Sequence, residues 1–408
     1  KMSLYENFKQ KFVPPVFLVV FTMSVQLLAI FGRGEAITFE AILSGLSGNT
    51  VAWRIVAVLF LWAYFWLLVA RKETKGERTP DGFIPTYKGN SVSYYLITVM
   101  TFLFVQWLWP NLSYIIFENM PQILGTLNTT AFVLCIFLYL RSTEGSELPK
   151  LYIFYRGRQL HPKMLNIQVK QLVIYRIALM FWQIQVLAFF FAALDKRSLD
   201  VPTLVTCLIQ TVYLFKSFIY ESAYYHTLDI TLDRAGYYLI WGTLVWLPCL
   251  YSYNSYYLVN HKPLISNMNS VLILIFGITA IIGTLLVDFE KARFRRTNGK
   301  TLIWNKTPTY IVAKYVDSTG TERASLLLTS GSWGLARHLN YTLELLSNLS
   351  WALPAHGLNI SVYFFITFLT VLIFHRIFRD ESKCKAKYGK YWEEYCQKVP
   401  YRLLPYLF

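Results

Sequence analysis

Charged residues are scarce in this sequence, and that scarcity limits the protein class more than any other feature. Asp, Glu, Lys and Arg make up 15% of the 408 residues, against roughly 25% in soluble domains. Hydrophobic residues reach 55%, and the mean hydropathy is +0.38. Glycine and proline, at 20 and 15 residues, are too few for a collagen-like or low-complexity chain. Soluble, fibrous and disordered classes are therefore excluded, and an integral membrane protein remains.

Cysteine-based and glycine-based motifs are also missing. The chain has five cysteines and no CxxC pair, so the sequence predicts no structural zinc, no redox pair and no disulfide scaffold. No GxGxxG motif follows a strand-like run, and we therefore expect no Rossmann domain. Any nucleotide site has to be built in another way.

Long apolar runs are abundant instead. A membrane-spanning helix needs about 20 mostly apolar residues, and ten runs approach that length. The first is long enough to stay in the bilayer, so we expect no cleaved signal peptide. The sequence thus predicts an all-α, multi-pass integral membrane protein of about ten transmembrane helices, with runs at 13–31, 51–70, 92–115, 121–140, 171–194, 201–222, 237–258, 269–287, 339–353 and 358–374.

The distribution of basic residues predicts the topology. When the ten runs are threaded alternately, 32 of the 39 Lys and Arg residues fall on one side and four on the other. Cytoplasmic loops carry such an excess, so we expect both termini in the cytosol, in the endoplasmic reticulum of a eukaryote or the inner membrane of a bacterium. The same distribution explains the net charge of +16 without a nucleic-acid partner.

The longest hydrophilic stretch, 288–338, has some structure of its own. Two β-prone runs, 309–316 and 324–329, flank the turn signal Ser318-Thr319-Gly320. This pattern predicts a small β-hairpin. The C-terminal part of the chain is accordingly expected to form a cytosolic cofactor-binding region.

A basic cluster follows the eighth run, at Lys291, Arg293, Arg295 and Arg296. It is typical of a positive-inside anchor or of a phosphate clamp, because Arg and Lys form charge-assisted hydrogen bonds with phosphate. If the ligand were a dinucleotide, the additional basic residues would favour a 2′-phosphate, and therefore NADPH over NADH.

Two aromatic motifs lie further on. Trp333 stands between Gly331 and Gly334, in a turn that suits stacking on a flat ring or an interfacial tryptophan belt. Positions 384, 388, 392 and 395 step by four, four and three residues, so they share one face of a predicted helix. That helix could line a polar site or lie on the membrane surface.

Ionisable residues cluster around the end of the sixth run. Lys216, Glu221 and Asp229 lie among several tyrosines, including Tyr213. An acid or phenol in an apolar pocket can hold a proton near neutral pH and deliver it to a substrate. The alternative is a Lys–Glu pair that satisfies itself, and the sequence leaves both open.

These motifs together resemble the sterol reductase family, which includes the enzymes that reduce delta-14, delta-7 or delta-24(28) sterol double bonds and the membrane domain of lamin B receptor. The match is dense in LLLTSGSWGLARHLNY (326–341) and HRIFRDESKCKAKYGKYWEEYCQKVPYRLLPYLF (375–408). GRQLHPK (157–163), WGTLVWLPCLYS (241–252) and FRRTNGK (294–300) also fit. The resemblance covers roughly 150–408.

The resemblance implies an enzyme that takes NADPH from the cytosol and a sterol from the bilayer. It divides the chain into helices 1–4 (residues 1–150) and a catalytic region with helices 5–10 (residues 151–408). It implies catalytic roles for Tyr213, Tyr395, Glu221 and Asp229. The cofactor-binding residues that it implies are Lys291, Arg295, Leu328, Thr329, Trp333, Asn340, Tyr341, Arg376, Asp380, Cys384 and Tyr388.

Three functions are therefore compared. The first is NADPH-dependent reduction of a sterol C=C bond by protonation and hydride transfer. The second is a membrane methyltransferase of the isoprenylcysteine type, which would use S-adenosylmethionine. The third is a non-catalytic sterol-binding protein, motivated by departures from the family pattern at Gln168, Lys216, Thr243 and Ser332.

Overall fold

The computed structural model describes residues 4–79, 82–142, 147–316 and 320–408. Most of these residues are helical. The α-helices are α1 Leu4–Val16, α2 Thr22–Gly32, α3 Phe39–Ser47, α4 Thr50–Leu68, α5 Ser91–Leu108, α6 Leu112–Glu118, α7 Met120–Arg141, α8 Lys150–Arg156, α9 Met180–Lys196, α10 Val201–Ile219, α11 Glu221–Tyr224, α12 Leu228–Thr231, α13 Tyr237–Trp241, α14 Leu247–Leu250, α15 Tyr253–Asn260, α16 Asn267–Arg296, α17 Ser332–Leu335, α18 Leu339–Ser350, α19 Phe364–Tyr388 and α20 Lys390–Lys398.

Shorter elements complete the described part. Turns of π-helix at Phe17–Phe21, Gln171–Leu179 and Gly242–Trp246 continue neighbouring α-helices, and 3₁₀ turns lie at Leu353–Ala355 and Ile360–Tyr363. Three two-stranded antiparallel ladders pair β1 Glu73–Lys75 with β2 Thr86–Lys88, β3 Lys163–Met164 with β4 Ile167–Gln168, and β5 Tyr310–Val316 with β6 Glu322–Leu328.

Within the described residues, eight helical segments are long and apolar enough to cross a membrane. They expose large apolar side chains; Trp107 and Leu140, for example, are each 74% exposed, as expected where lipid covers the surface. The predicted all-α membrane class is confirmed. The eight segments are Phe8–Gly32, Phe39–Leu68, Ser91–Leu108, Met120–Arg141, Gln171–Lys196, Val201–Ile219, Asn267–Arg296 and Ile360–Tyr388.

The other two predicted runs are helical but do not form long helices. The seventh run is divided among α13, a π-helical turn, α14 and α15, and Pro248 lies within it. The ninth forms α18, which has 12 residues and is followed by a 3₁₀ turn that contains Pro354. Proline lacks the amide donor that a continuous helix requires. Apolar composition alone therefore overestimated the length of these two elements.

The described chain packs as two compact units. The first comprises residues up to Thr79 and Ile84–Leu264, and the second comprises Ile265–Phe408 with Gly82 and Phe83. The boundary between the two units, after Leu264, lies more than one hundred residues beyond residue 150. The functional boundary at residue 150 stays a prediction. In the first unit, α9 contacts α6, α10 and α15 and contributes buried residues such as Ala188 and Phe189 to the core.

The second unit is built on α16, a helix of 30 residues. Ser266 begins it by accepting a hydrogen bond from the Asn269 amide at 3.2 Å, which is a typical N-cap. At 1.5 Å per residue the helix is about 45 Å long, whereas the hydrocarbon core is about 30 Å thick. Its last turns, which carry the basic cluster, therefore extend beyond the apolar part of the bilayer.

The predicted hairpin is confirmed in β5 and β6, with Tyr310 opposite Leu328 and Val316 opposite Glu322. The predicted turn at Ser318-Thr319 lies outside the described residues. The hairpin packs against α19 and α20. Its inner face, with Ile311, shares a small core with aromatic residues of those two helices.

Candidate functional site

The end of α16 carries the first group of predicted cofactor residues. Asp288, Lys291 and Arg295 are three and four residues apart, so they share one helix face. The Lys291 ammonium lies 3.6 Å from the centroid of the Trp333 ring. Arg295 is exposed and makes no side-chain hydrogen bond or ion pair within the described residues. The two cations therefore stand side by side, a suitable arrangement for a multiply anionic ligand.

Trp333 packs beneath the Lys291 ammonium. Its ring is 5% exposed, and its indole nitrogen donates to the Val287 carbonyl at 2.9 Å. A buried ring does not form an interfacial belt, so this predicted alternative is not observed. Gly331, at φ +64°, makes the preceding turn, and a Cβ there would lie 2.4 Å from Ile303 Cγ2 and 2.6 Å from Glu290 Oε1. The close approach fixes Trp333 against α16.

Asn340 and Tyr341 follow at the start of α18. The Asn340 amide nitrogen donates to Asp288 Oδ1 at 3.0 Å, while its own Oδ1 is buried without a hydrogen-bond partner among the described residues. Tyr341 stacks on His338 with ring centroids 5.3 Å apart. His338 Nε2 is likewise buried and unpartnered within that part of the chain. Buried polar atoms that lack partners are costly, so this corner fits a polar ligand.

Helix α19 supplies Arg376, Asp380 and Cys384, which are spaced by four residues and share one face. Asp380 and Cys384 both interact electrostatically with Lys291. Asp380 and Cys384 on α19 therefore lie within electrostatic range of Lys291 on α16. Arg376, one helical turn before Asp380, continues the same row.

The stripe at 384, 388, 392 and 395 does not lie on one continuous helix, so that prediction is wrong. Helix α19 ends at Tyr388 because Gly389 adopts φ +53°, and α20 begins a new direction. Tyr388, Trp392 and Tyr395 nevertheless share one core with β5. Glycine tolerates a positive φ without steric cost, and this is what allows the bend.

Leu328 and Thr329 end the hairpin. Leu328 is 5% exposed and packs in a core with Trp333, so its side chain does not point toward solvent. The Thr329 amide donates to the Thr309 carbonyl at 2.9 Å, and the two hydroxyl groups are also 2.9 Å apart. These residues support the strand-to-turn backbone that leads to Trp333.

Tyr395 lies beneath this backbone. Its phenol is 5% exposed and donates to the Trp333 carbonyl at 3.4 Å. Burial raises the pKa of Tyr395, and the positive charge of Arg337 partly opposes that effect. The phenol therefore keeps its proton throughout the physiological range. It could act as a donor in acid–base chemistry.

Glu221, a predicted acid of the first unit, is engaged in a buried ion pair. Its two carboxylate oxygens lie 2.7 and 3.0 Å from the Arg176 guanidinium nitrogens Nη1 and Nη2, and both side chains are almost fully buried. Gln171 adds a hydrogen bond of 3.2 Å. The sequence-based alternative of a Lys216–Glu221 pair was therefore wrong about the partner, since Arg176 occupies that role. The two parallel hydrogen bonds give this pair the bidentate geometry that is typical of strong Arg–carboxylate contacts.

The other residues of this cluster are less enclosed. The Lys216 ammonium lies 4.6 Å from the centroid of the Tyr213 ring, and Tyr213 is half-buried beside Trp182. Asp229 accepts a hydrogen bond of 3.2 Å from the Tyr224 hydroxyl. The Lys170 ammonium, in turn, donates to the Asp229 carbonyl at 2.9 Å. Lys170 therefore holds the short helix that presents Asp229.

Sequence reasoning missed the residues that connect the C-terminal segment to the site. Arg337 donates to Glu381 at 2.8 Å and to the carbonyls of Val399 and Pro400 at 2.6 and 2.9 Å. Arg402 joins the same carboxylate at 3.0 Å. The signal that could have indicated this network was the acidic pair Asp380 and Glu381, which stands among several basic residues of α19. This network positions His338 and the start of α18, where Asn340 lies.

Comparison with known proteins identifies the family of this chain. Residues 4–408 match the family model described as "Ergosterol biosynthesis ERG4/ERG24 family". The 7-dehydrocholesterol reductase of Arabidopsis thaliana is 36% identical over 87% of this chain and 84% of its own length. The Danio rerio enzyme of that name is 33% identical over 82% and 72%. The delta(14)-sterol reductase of Methylotuvimicrobium alcaliphilum is 32% identical over 89% and 83%. This chain therefore belongs to the ERG4/ERG24 family of sterol reductases.

Proposed function

We propose that this protein reduces a carbon–carbon double bond of a sterol with NADPH as the reductant. Family membership supports sterol C=C reduction over a methyltransferase activity. The observation that carries the cofactor assignment is the Lys291 ammonium over the Trp333 ring, with Arg295 and Asp380 within electrostatic range of that ammonium. Family membership alone names no cofactor, so the assignment of NADPH rests on these side chains.

The residues fit a nicotinamide dinucleotide phosphate. Lys291 and Arg295 would bind its phosphates, because neighbouring cations offset repulsion among phosphate charges. The unpartnered Oδ1 of Asn340 would accept a hydrogen bond from an amide or hydroxyl of the ligand. Arg376, Cys384, Tyr388 and Tyr341 would flank it. S-adenosylmethionine carries no phosphate and would leave the cations on α16 without a partner.

When bound, NADPH supplies the hydride, and a side chain must supply the proton that adds to the other alkene carbon. An isolated alkene is weakly basic, so the proton donor must be shielded from water. We assign proton-transfer roles to Tyr213 and Asp229 in the first unit and to Tyr395 in the second. The phenol of Tyr395 meets that requirement, since it is buried and retains its proton.

Glu221 has a different role in this proposal. Its carboxylate is held by the buried Arg176 through two hydrogen bonds. We assign Glu221 to positioning, because it joins the end of α10 to the buried guanidinium. The proposal retains the cytosolic placement of both termini and the functional boundary at residue 150.

Product analysis tests the proposal directly. The purified full-length protein is incubated with NADPH and a mixture of delta-7, delta-14 and delta-24(28) sterols, and the products are analysed by mass spectrometry. We expect a gain of two hydrogens in one substrate class, with consumption of an equal amount of NADPH. Thermal unfolding in the presence of NADPH, NADH or S-adenosylmethionine provides a readout that does not depend on turnover.

Each contrary result selects an alternative. Protection by NADPH without any reduced sterol would favour the non-catalytic sterol-binding function. Protection by S-adenosylmethionine alone would overturn the proposal in favour of the methyltransferase. Equal protection by NADH and NADPH would remove the 2′-phosphate from the assignment.

A further inference from the structure

A groove of about 420 Å³ runs along α16 on a different face from Lys291 and Arg295. Its walls are residues 283–293 of α16, the turn at 301–304, and Leu343 of α18. Residues 283, 286, 290 and 293 are three or four positions apart and share this face. The groove therefore lies outside the row of residues that we assign to the nucleotide.

The apolar end of the groove belongs to the membrane-spanning part of α16. Leu286 and Phe289 line it and are 63% and 53% exposed. Gly283, one turn earlier, has no side chain, and this deepens the wall. Because α16 is long and apolar enough to cross a bilayer, an acyl chain can reach this end directly.

The opposite end of the groove carries more positive than negative charge, because Arg293 and Arg296 accompany the carboxylate of Glu290. Arg293 lines it, is exposed, and makes no side-chain hydrogen bond or ion pair in the part of the chain that the structure describes. Glu290 lies on the same wall, and its carboxylate accepts hydrogen bonds from the amide and hydroxyl of Ser332 at 2.9 and 3.3 Å and from the Trp304 side chain. Arg296 lies one helical turn beyond Arg293. This end therefore attracts an anion.

An exposed tryptophan in an unusual backbone conformation completes the groove. Trp304 and Asn305 adopt φ +50° and +60°, in a tight turn closed by reciprocal hydrogen bonds between Ile303 and Lys306. Bulky residues rarely occupy this region, and retained strain often marks a functional site. The indole is 61% exposed, and tryptophan favours the headgroup region of a bilayer.

From these observations we propose that the groove binds one anionic phospholipid. An acyl chain lies along Leu286 and Phe289, the phosphate pairs with Arg293, and the Trp304 indole packs at the level of the glycerol backbone. Charge selects this occupant: a zwitterionic headgroup brings its own cation toward Arg293, whereas an anionic headgroup does not. The proposal does not depend on the catalytic activity.

Native mass spectrometry of the full-length protein in detergent tests the proposal. Phosphatidylglycerol and phosphatidylcholine with identical acyl chains are added at equal concentration. We expect phosphatidylglycerol adducts to be favoured about fivefold, as one basic residue near a headgroup contributes in model systems. Equal uptake of the two lipids would overturn the proposal, and so would displacement of phosphatidylglycerol by millimolar inorganic phosphate.

Two variants and a control locate the site. Arg293→Gln should abolish the preference for phosphatidylglycerol. Trp304→Asn should reduce adducts of both lipids, and it should fold, since asparagine tolerates the left-handed conformation of this turn. Lys314→Ala, on an exposed position of β5, should leave lipid binding unchanged. Thermal unfolding verifies that each variant is folded.

The same spectra report a competing occupant. If a second copy of the chain covered the groove, a dimer mass would appear and would be lost in Trp304→Asn. That result, or an unchanged lipid preference in Arg293→Gln, would overturn the lipid site.

Discussion

Two charged regions of this chain, one beside α10 in the first unit and one at the end of α16 in the second, differ in how far their charges are satisfied internally. In the first unit, Arg176 and Glu221 neutralise each other in a buried pair, and Lys170 is bound to backbone carbonyls. In the second, Arg293 and Arg295 make no side-chain bond within the described residues. A buried pair keeps both charges compensated, and the loss of one partner would destabilise the fold. A charged side chain without a protein partner indicates where a ligand can bind.

The largest expected effect tests the internally satisfied charges. Arg176→Met should destabilise the first unit by about 3–5 kcal/mol, because it leaves the Glu221 carboxylate buried without its partner. The measurement is thermal unfolding of the purified protein. The double variant Arg176→Met/Glu221→Leu should recover most of the loss. An unfolding temperature equal to that of the parent protein would contradict a role of the Arg176–Glu221 pair in stability.

The next effect concerns the phenols assigned to proton transfer. Tyr395→Phe and Tyr213→Phe should each lower turnover by about 10²–10⁴-fold, the usual range for loss of a general acid. Nucleotide affinity should be preserved, since neither variant alters the cations on α16. Tyr310→Phe, on the exposed side of β5, is the matched control. An unchanged rate in either variant would contradict a proton-transfer role of that tyrosine.

A smaller effect sharpens the assignment of the remaining charges. Arg295→Ala should weaken NADPH binding by about 10–100-fold, as expected for one lost charge-assisted contact, and NADH binding much less. Binding is measured by titration, with Lys314→Ala as the control. Equal weakening of both nucleotides would contradict an interaction with the 2′-phosphate.

The smallest effect comes from His338. Burial lowers the pKa of His338 to about 4, from 6.5 for the exposed side chain. Between these values the unfolded chain binds more protons than the folded one, so stability falls as the pH is lowered through this window. The expected loss is about 1 kcal/mol between pH 7 and pH 5.5. His338→Phe, which keeps a ring against Tyr341, should remove this part of the pH dependence.

Sequence periodicity predicted much of the fold because it acts through local physics. The eight long apolar helices and the hairpin β5–β6 follow directly from apolar run length and β-propensity. The seventh and ninth runs were misjudged, since Pro248 and Pro354 interrupt helices that composition alone would continue. The helical stripe ending at Tyr395 failed at Gly389 for a similar reason, because a single glycine changed the direction of the chain.

Pairing between distant residues was harder to predict. Nothing local indicates that Glu221 meets Arg176 rather than Lys216, because the choice depends on how α10 packs against the helix that carries Arg176. The electrostatic interaction of Lys291 with Asp380 was expected only from the family resemblance. No sequence motif pointed to the groove beside Arg293 or to the left-handed turn at Trp304.

The unbroken course of α16 has a consequence for how the protein responds to its surroundings. One rigid rod carries both lipid-exposed leucines and the two cations beside Trp333, so the height of those cations above the bilayer is set by residue count. Inserting a single alanine after Ile282 would turn everything beyond it by about 100° and advance it by about 1.5 Å. A thicker bilayer would therefore bring Lys291 closer to the hydrocarbon region.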